Sequence, residues 1–110
     1  MKLPNGDRAV VPEFKLRDFL PNEEHPVRPG HAVFFQRLLG VTRSNAHLLR
    51  GALLRAAVEG DTAPGQYSPY GIKHEVRFTM TGLRRNYTIL SVWIIEHGAD
   101  APRLVTAFIE

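Results

Sequence analysis

Two periods of apolar residues divide the chain. Up to about residue 60 the apolar side chains recur at three- and four-residue intervals, which is one face of a helix, and from Ile72 onward they recur at every second position, which is one face of a strand. Phe14, Leu16, Phe19 and Leu20 predict a short helix over about 14–20, stopped by Pro21. Phe34, Phe35, Leu38 and Leu39 predict a second over about 31–39, ended by Gly40 in the position after the cap. A third, over about 44–58 and capped by Thr42 or Ser44, carries Ala46, Leu49, Leu53, Ala56 and Ala57 on one stripe and ends at Glu59-Gly60.

The strands follow. Ile72, His74, Val76, Phe78 and Met80 alternate with Lys73, Glu75, Arg77, Thr79 and Thr81, predicting a half-buried strand over about 72–81. The next run, about 87–95, is apolar on both faces and is therefore expected at the centre of a sheet, and a last strand is expected over about 103–109. Turn residues at 82–86 and 97–102 make this an antiparallel meander. Ala9-Val10-Val11, between a Pro-Asn-Gly-Asp turn and Pro12, predicts a short N-terminal edge strand, and 61–70, with two prolines and scarcely an aliphatic side chain, predicts the long loop where helices give way to strands. Helices first and strands afterwards give an α+β fold, with the helices on one face of the sheet, in one domain spanning 1–110.

Composition adds limits. At 44% apolar and 23% charged residues the chain can build one core, which 110 residues suffice for. No apolar run reaches the ~20 residues of a membrane span, so the expectation is a protein off the membrane, either cytoplasmic or delivered to a target cytoplasm within a larger secreted protein. Without cysteine there are no disulfides, thiolate metal sites or cysteine nucleophiles, and the five histidines share no metal-ligand spacing, so no metal and no cofactor is expected. No phosphate-binding glycine loop, zinc-protease helix or nucleophile elbow is present either.

The net charge of +3 is mild, but its distribution is uneven: between Arg28 and Arg55 lie Arg37, Arg43 and Arg50 with no acidic residue at all. Such a segment suits a phosphate backbone, and equally suits helix surfaces whose arginine stems cover apolar area. Chemistry compatible with these residues is metal-independent cleavage of RNA, in which a base takes the 2′-hydroxyl proton, an acid protonates the leaving oxygen and cations stabilise the phosphorane. His31, in the first turn of a buried helix, and His25, in the preceding Pro/Gly loop, are the proton-transfer candidates. Arg37 follows on the same helix, while Arg77, Thr79, Ser91 and Thr106 are the cation and hydroxyls available from the strands. His25 again, with Arg28, Lys73 and the Arg84-Arg85 pair at a sheet tip, are the accompanying RNA-binding candidates. The same alternation of Lys, Glu, Arg and Thr also describes an inert solvent-facing strand.

Lys15-Leu16-Arg17-Asp18-Phe19-Leu20, Glu24-His25-Pro26, Gly30-His31-Ala32 with Phe34-Phe35, Leu39-Gly40, Tyr70-Gly71, Trp93-Ile94-Ile95 and Pro102-Arg103-Leu104-Val105-Thr106 together resemble a small bacterial domain family of unknown function, DUF6883. The likeness covers nearly the whole chain and specifies a fold rather than a reaction. The His-Pro-x-x-Gly pattern also resembles the C-terminal toxin domains of bacterial polymorphic toxins in the barnase, EndoU, colicin and RelE-like ribonuclease group. That resemblance implies a catalytic set of a helix His or Lys, an Arg or Lys and a late-strand Ser or Thr, with RNA as substrate and a cognate immunity or antitoxin protein as partner. On it, His31, Arg37, Arg77, Thr79 and Thr106 form the catalytic set, although His31 stands where the family more often has lysine. A non-catalytic protein-interaction module is the alternative, separated from the enzyme by whether His31, an arginine and a strand hydroxyl share one cleft.

Overall fold

A computed structural model describes residues 1–19, 31–63 and 65–110; the side chains at 18, 19 and 31–34 are not described. Among the described residues the chain forms three α-helices, α1 (Glu13–Phe19), α2 (His31–Leu39) and α3 (His47–Glu59), and four strands, β1 (Gln66–Ser68), β2 (Gly71–Thr81), β3 (Asn86–Glu96) and β4 (Arg103–Ile109). The strands form one antiparallel sheet in the order β1-β2-β3-β4. This is the expected α+β arrangement, with β3 central.

Its two differences from the periodicity have local causes. Val10 makes a single bridge to Arg103 rather than a strand, because Pro12 follows it and α1 begins at Glu13. The stretch expected to be a loop contains β1, which pairs three exposed or half-exposed residues with Gly71–Lys73 and so carries no hydrophobic alternation to betray it. Before α3, Arg43–Asn45 is a 3-10 turn: the Thr42 N–H donates to Asn45 Oδ1 at 2.6 Å, and Asn45 Nδ2 donates to the Gly40 carbonyl at 3.1 Å.

Side-chain parity separates the two sheet faces. Val76, Ile89, Trp93, Leu104 and Ala107 face the helices and pack with Phe35, Leu39, Leu49, Leu53 and Ala57 in one core. Within it Trp93 Nε1 donates to Ser91 Oγ at 3.0 Å and Ser91 Oγ donates to the Val76 carbonyl at 2.7 Å, so a buried indole and hydroxyl are both satisfied. On the opposite face Leu90 and Ile94 are also buried, and directly opposite them in register stand Arg77 and Phe108, and Lys73 and Arg103. Long basic side chains beside a buried leucine and isoleucine explain how a strand apolar on both sides survives on a sheet with helices on one face.

Candidate functional site

Two glycines bring the β2–β3 turn against the end of α2. Gly40 ends α2 with φ +70°, and its N–H and that of Val41 donate back to the Gln36 and Phe35 carbonyls at 2.9 and 3.2 Å. A Cβ on Gly82 would stand 2.6 Å from the Leu38 carbonyl oxygen, 2.6 Å from the Tyr87 ring and 2.7 Å from the Arg85 carbonyl oxygen, so the turn closes on the helix only because residue 82 has no side chain. The Leu83 N–H then donates to the Leu38 carbonyl at 2.9 Å, supplying one of the unpaired carbonyls of the last helical turn with a partner. Leu83 itself lies over Gly40, with Cδ2 3.0 Å from where a Cβ would be.

This junction forms an open depression of about 380 Å³ lined by Arg37, Leu38, Leu83, Arg84 and Tyr87. The Arg85 guanidinium stacks 5.0 Å from the centre of the Tyr87 ring at its rim. Arg37 and Arg84 thus line one depression with Tyr87, on whose ring Arg85 stacks, and none of the three arginines has an ion-pair partner among the described residues.

The other predicted residues lie elsewhere. Lys73, Arg77, Thr79 and Thr106 occupy the sheet face away from the helices, with β3 between Arg77 and Thr106. Arg77 Nε donates to Glu110 Oε1 at 2.7 Å, and its Nη1 lies 3.8 Å from Glu75. Ser91, expected to join this set, points into the core instead, because its parity is that of Trp93. His25 and Arg28 lie outside the described residues, and His31 is placed only as the first residue of α2, six residues and about 9 Å of helix from Arg37. Of the predicted residues the fold therefore unites Arg37 with Arg84 and Arg85, and it sets Arg77, Thr79 and Thr106 on another surface. Leu38, Leu83 and Tyr87 complete the depression, and Gly82 lets the turn close on α2; the Arg84-Arg85 pair at the sheet tip was the sequence signal for this place.

Among the described residues no three His, Asp or Glu side chains stand together as a metal site, and no helix is long and apolar enough to cross a membrane. His74 is buried beside Ala63 and Gly65, where a Cβ on Gly65 would come within 2.7 Å of the ring; its Nδ1 has no hydrogen-bond partner among the described residues. Burial pushes its pKa below the ordinary histidine value, opposed by a backbone hydrogen bond at Ala63.

No curated protein and no solved structure matches the chain significantly. The family model described as a domain of unknown function, DUF6883, matches residues 2–110, and the chain belongs to that family.

Proposed function

We propose that this domain binds RNA, with Arg37, Arg84 and Arg85 contacting phosphates and Tyr87 offering a face for a base. The carrying observation is that Arg37 and Arg84 line one open depression with Tyr87, that Arg85 stacks on the same ring, and that none of the three arginines has an ion-pair partner among the described residues. Arginine suits this task because its planar fork pairs two phosphate oxygens and its charge persists at every relevant pH. Binding of a labelled single-stranded RNA should weaken with salt, with a log–log slope of about −2 for three neutralised phosphates. The double charge reversal Arg37→Glu with Arg84→Glu should lower affinity at least ~30-fold at low salt, at roughly the energy of two or more charge-assisted contacts. RNA binding that is unaffected by that pair of changes removes the depression from the interface.

The second reading adds cleavage, and what favours it is that His31 opens the helix that carries Arg37 near its other end. In that reading the domain is a metal-independent ribonuclease of toxin type, His31 moves the proton of the 2′-hydroxyl, and a cognate immunity or antitoxin protein blocks the basic depression. Arg77, Thr79 and Thr106, on another face of the sheet, are then not among the reacting groups. Total bacterial RNA incubated with wild type and His31→Ala decides it: on the order of a hundredfold loss of cleavage with an intact circular dichroism spectrum supports His31 as the proton-transfer group. Equal cleavage by both proteins excludes it.

A further inference from the structure

Independently of RNA, β2 has an unpaired edge. The His97 N–H donates to the Tyr70 carbonyl and the Gly82 N–H to the Arg85 carbonyl, which sets the register so that the even-numbered residues of β2 exchange hydrogen bonds with β3. The N–H and C=O groups of the odd-numbered residues consequently point away from β3. Along the first part of that edge they face β1, which pairs at residues 71–73, and the bridge of Thr62 to Val76. Past that bridge nothing pairs with Thr79 or Thr81 on this side among the described residues, although both are exposed.

Helix α3 runs beside this open edge. Gly60 pins its C-terminal end, since a Cβ there would meet Val76 Cγ1 at 2.4 Å. The stripe Ala52, Arg55, Ala56 and Glu59, spaced three and four residues apart, then faces Phe78 and Thr79 across a groove of about 220 Å³. The groove has an apolar floor in Phe78, Ala52 and Ala56, and it has hydrogen-bonding backbone along one wall. Arg55 stands over it with no ion-pair partner among the described residues.

We propose that this groove binds an extended segment of a partner protein, which adds to the sheet as a strand beside Thr79–Thr81. Such a segment places small apolar side chains at alternate positions against Phe78 and Ala56 and a carboxylate opposite Arg55. An extended backbone follows from the donors and acceptors of Thr79 and Thr81, which only a strand can satisfy in series. The acidic residue follows from charge complementarity, since Glu59 stands at only one end of the groove and Arg55 has no ion-pair partner among the described residues.

The test selects binders for the whole protein from displayed random peptides of about eight residues. The enriched sequences should alternate apolar and other residues and carry one Asp or Glu. In NMR spectra an enriched peptide should shift the Thr79 and Thr81 amides and slow their hydrogen exchange. N-methylation of its alternate backbone amides should abolish binding, and Arg55→Glu should weaken it about tenfold or more, as expected for loss of a charge-assisted pair. Arg55 is exposed on α3, so that variant should fold as wild type does. Absence of an enriched motif, equal binding by the N-methylated peptide, or shifts confined to other residues overturns the proposal. So does a concentration-dependent dimer in sedimentation whose formation protects Thr79 and Thr81, because the occupant is then a second copy of this chain.

Discussion

The sheet face turned away from the helices and the junction between the β2–β3 turn and α2 are both rich in arginine, yet they differ in how that charge is met. On the sheet face Arg77 contacts Glu110 and Glu75, and Arg103 Nε donates to Glu96 at 2.9 Å, so each of these two arginines has a carboxylate and stands beside Leu90 or Ile94 in register. At the junction Arg37 and Arg84 line a depression with Tyr87 and Arg85 stacks on that ring, with no carboxylate among the described lining residues. Cationic side chains of the first kind serve the fold by covering apolar area; those of the second kind carry charge that no described carboxylate offsets. Counting arginines in the sequence does not separate the two kinds. Their partners do.

The largest effect should come from removing what keeps the two regions on one rigid sheet. Trp93 is fully buried in the core and its indole N–H is held by Ser91, so Trp93→Ala should cost about 3–5 kcal/mol and lower the melting temperature by many degrees. A thermal transition close to wild type would rule out Trp93 as the centre of this core.

Gly82→Ala comes next, and it acts on the junction alone. The added methyl would meet two backbone oxygens and a ring below 3.0 Å, so the turn must move off α2, at about 1–3 kcal/mol. RNA affinity should fall with it, because Arg84 leaves Arg37, while every arginine is still present. Full affinity in this variant would show that charge alone, not its gathering, carries binding.

Much of the fold was legible because burial dictates period: the alternation from Ile72 to Met80 and the double-sided apolarity around Trp93 follow directly from one strand with one buried face and one strand with two. β1 was not, since three residues on an exposed edge need no hydrophobic pattern to pair. The site was legible only as charge. Arg84-Arg85 stood out as cations at a sheet tip, but their approach to Arg37 depends on the Leu83–Leu38 hydrogen bond and on the missing side chain of Gly82, both long-range facts of packing. Neutralisation of Arg77 by Glu110 is likewise tertiary, so Arg77 and Arg37 looked alike in the sequence and are not alike in the fold.

A third test separates titration of the core from titration of the arginine surfaces, which keep their charge throughout the neutral range. His74 has its pKa lowered from 6.5 in the folded protein, chiefly by burial, so in the window below 6.5 the unfolded chain binds the proton more readily than the folded one. Stability should therefore be fully present above about pH 6.5 and decline as the pH falls toward the depressed folded value. Melting temperatures between pH 7.5 and 5 should show this decline in wild type and a flatter profile in His74→Leu. An identical slope in the two proteins would assign the pH dependence to other groups.

The smallest effect is the one that tests the comparison most directly. Arg77→Ala removes two carboxylate contacts, but its side chain and that of Glu110 are 56% and 36% exposed, so water and salt screen most of the attraction and the loss should stay within about 1 kcal/mol. Part of that loss would come from uncovering Leu90, which Arg77 faces across the strands. RNA affinity should be unchanged, because neutralised Arg77 has no spare charge for a phosphate, and removing it frees the Glu75 and Glu110 carboxylates without touching Arg37, Arg84 or Arg85. Arg84→Ala, measured alongside, should leave the melting temperature where it was and weaken RNA binding about tenfold, as expected for one lost charge-assisted contact. If instead Arg77→Ala weakens RNA binding as much as Arg84→Ala does, the paired and unpaired arginines act as one surface, and the division drawn between the two regions fails.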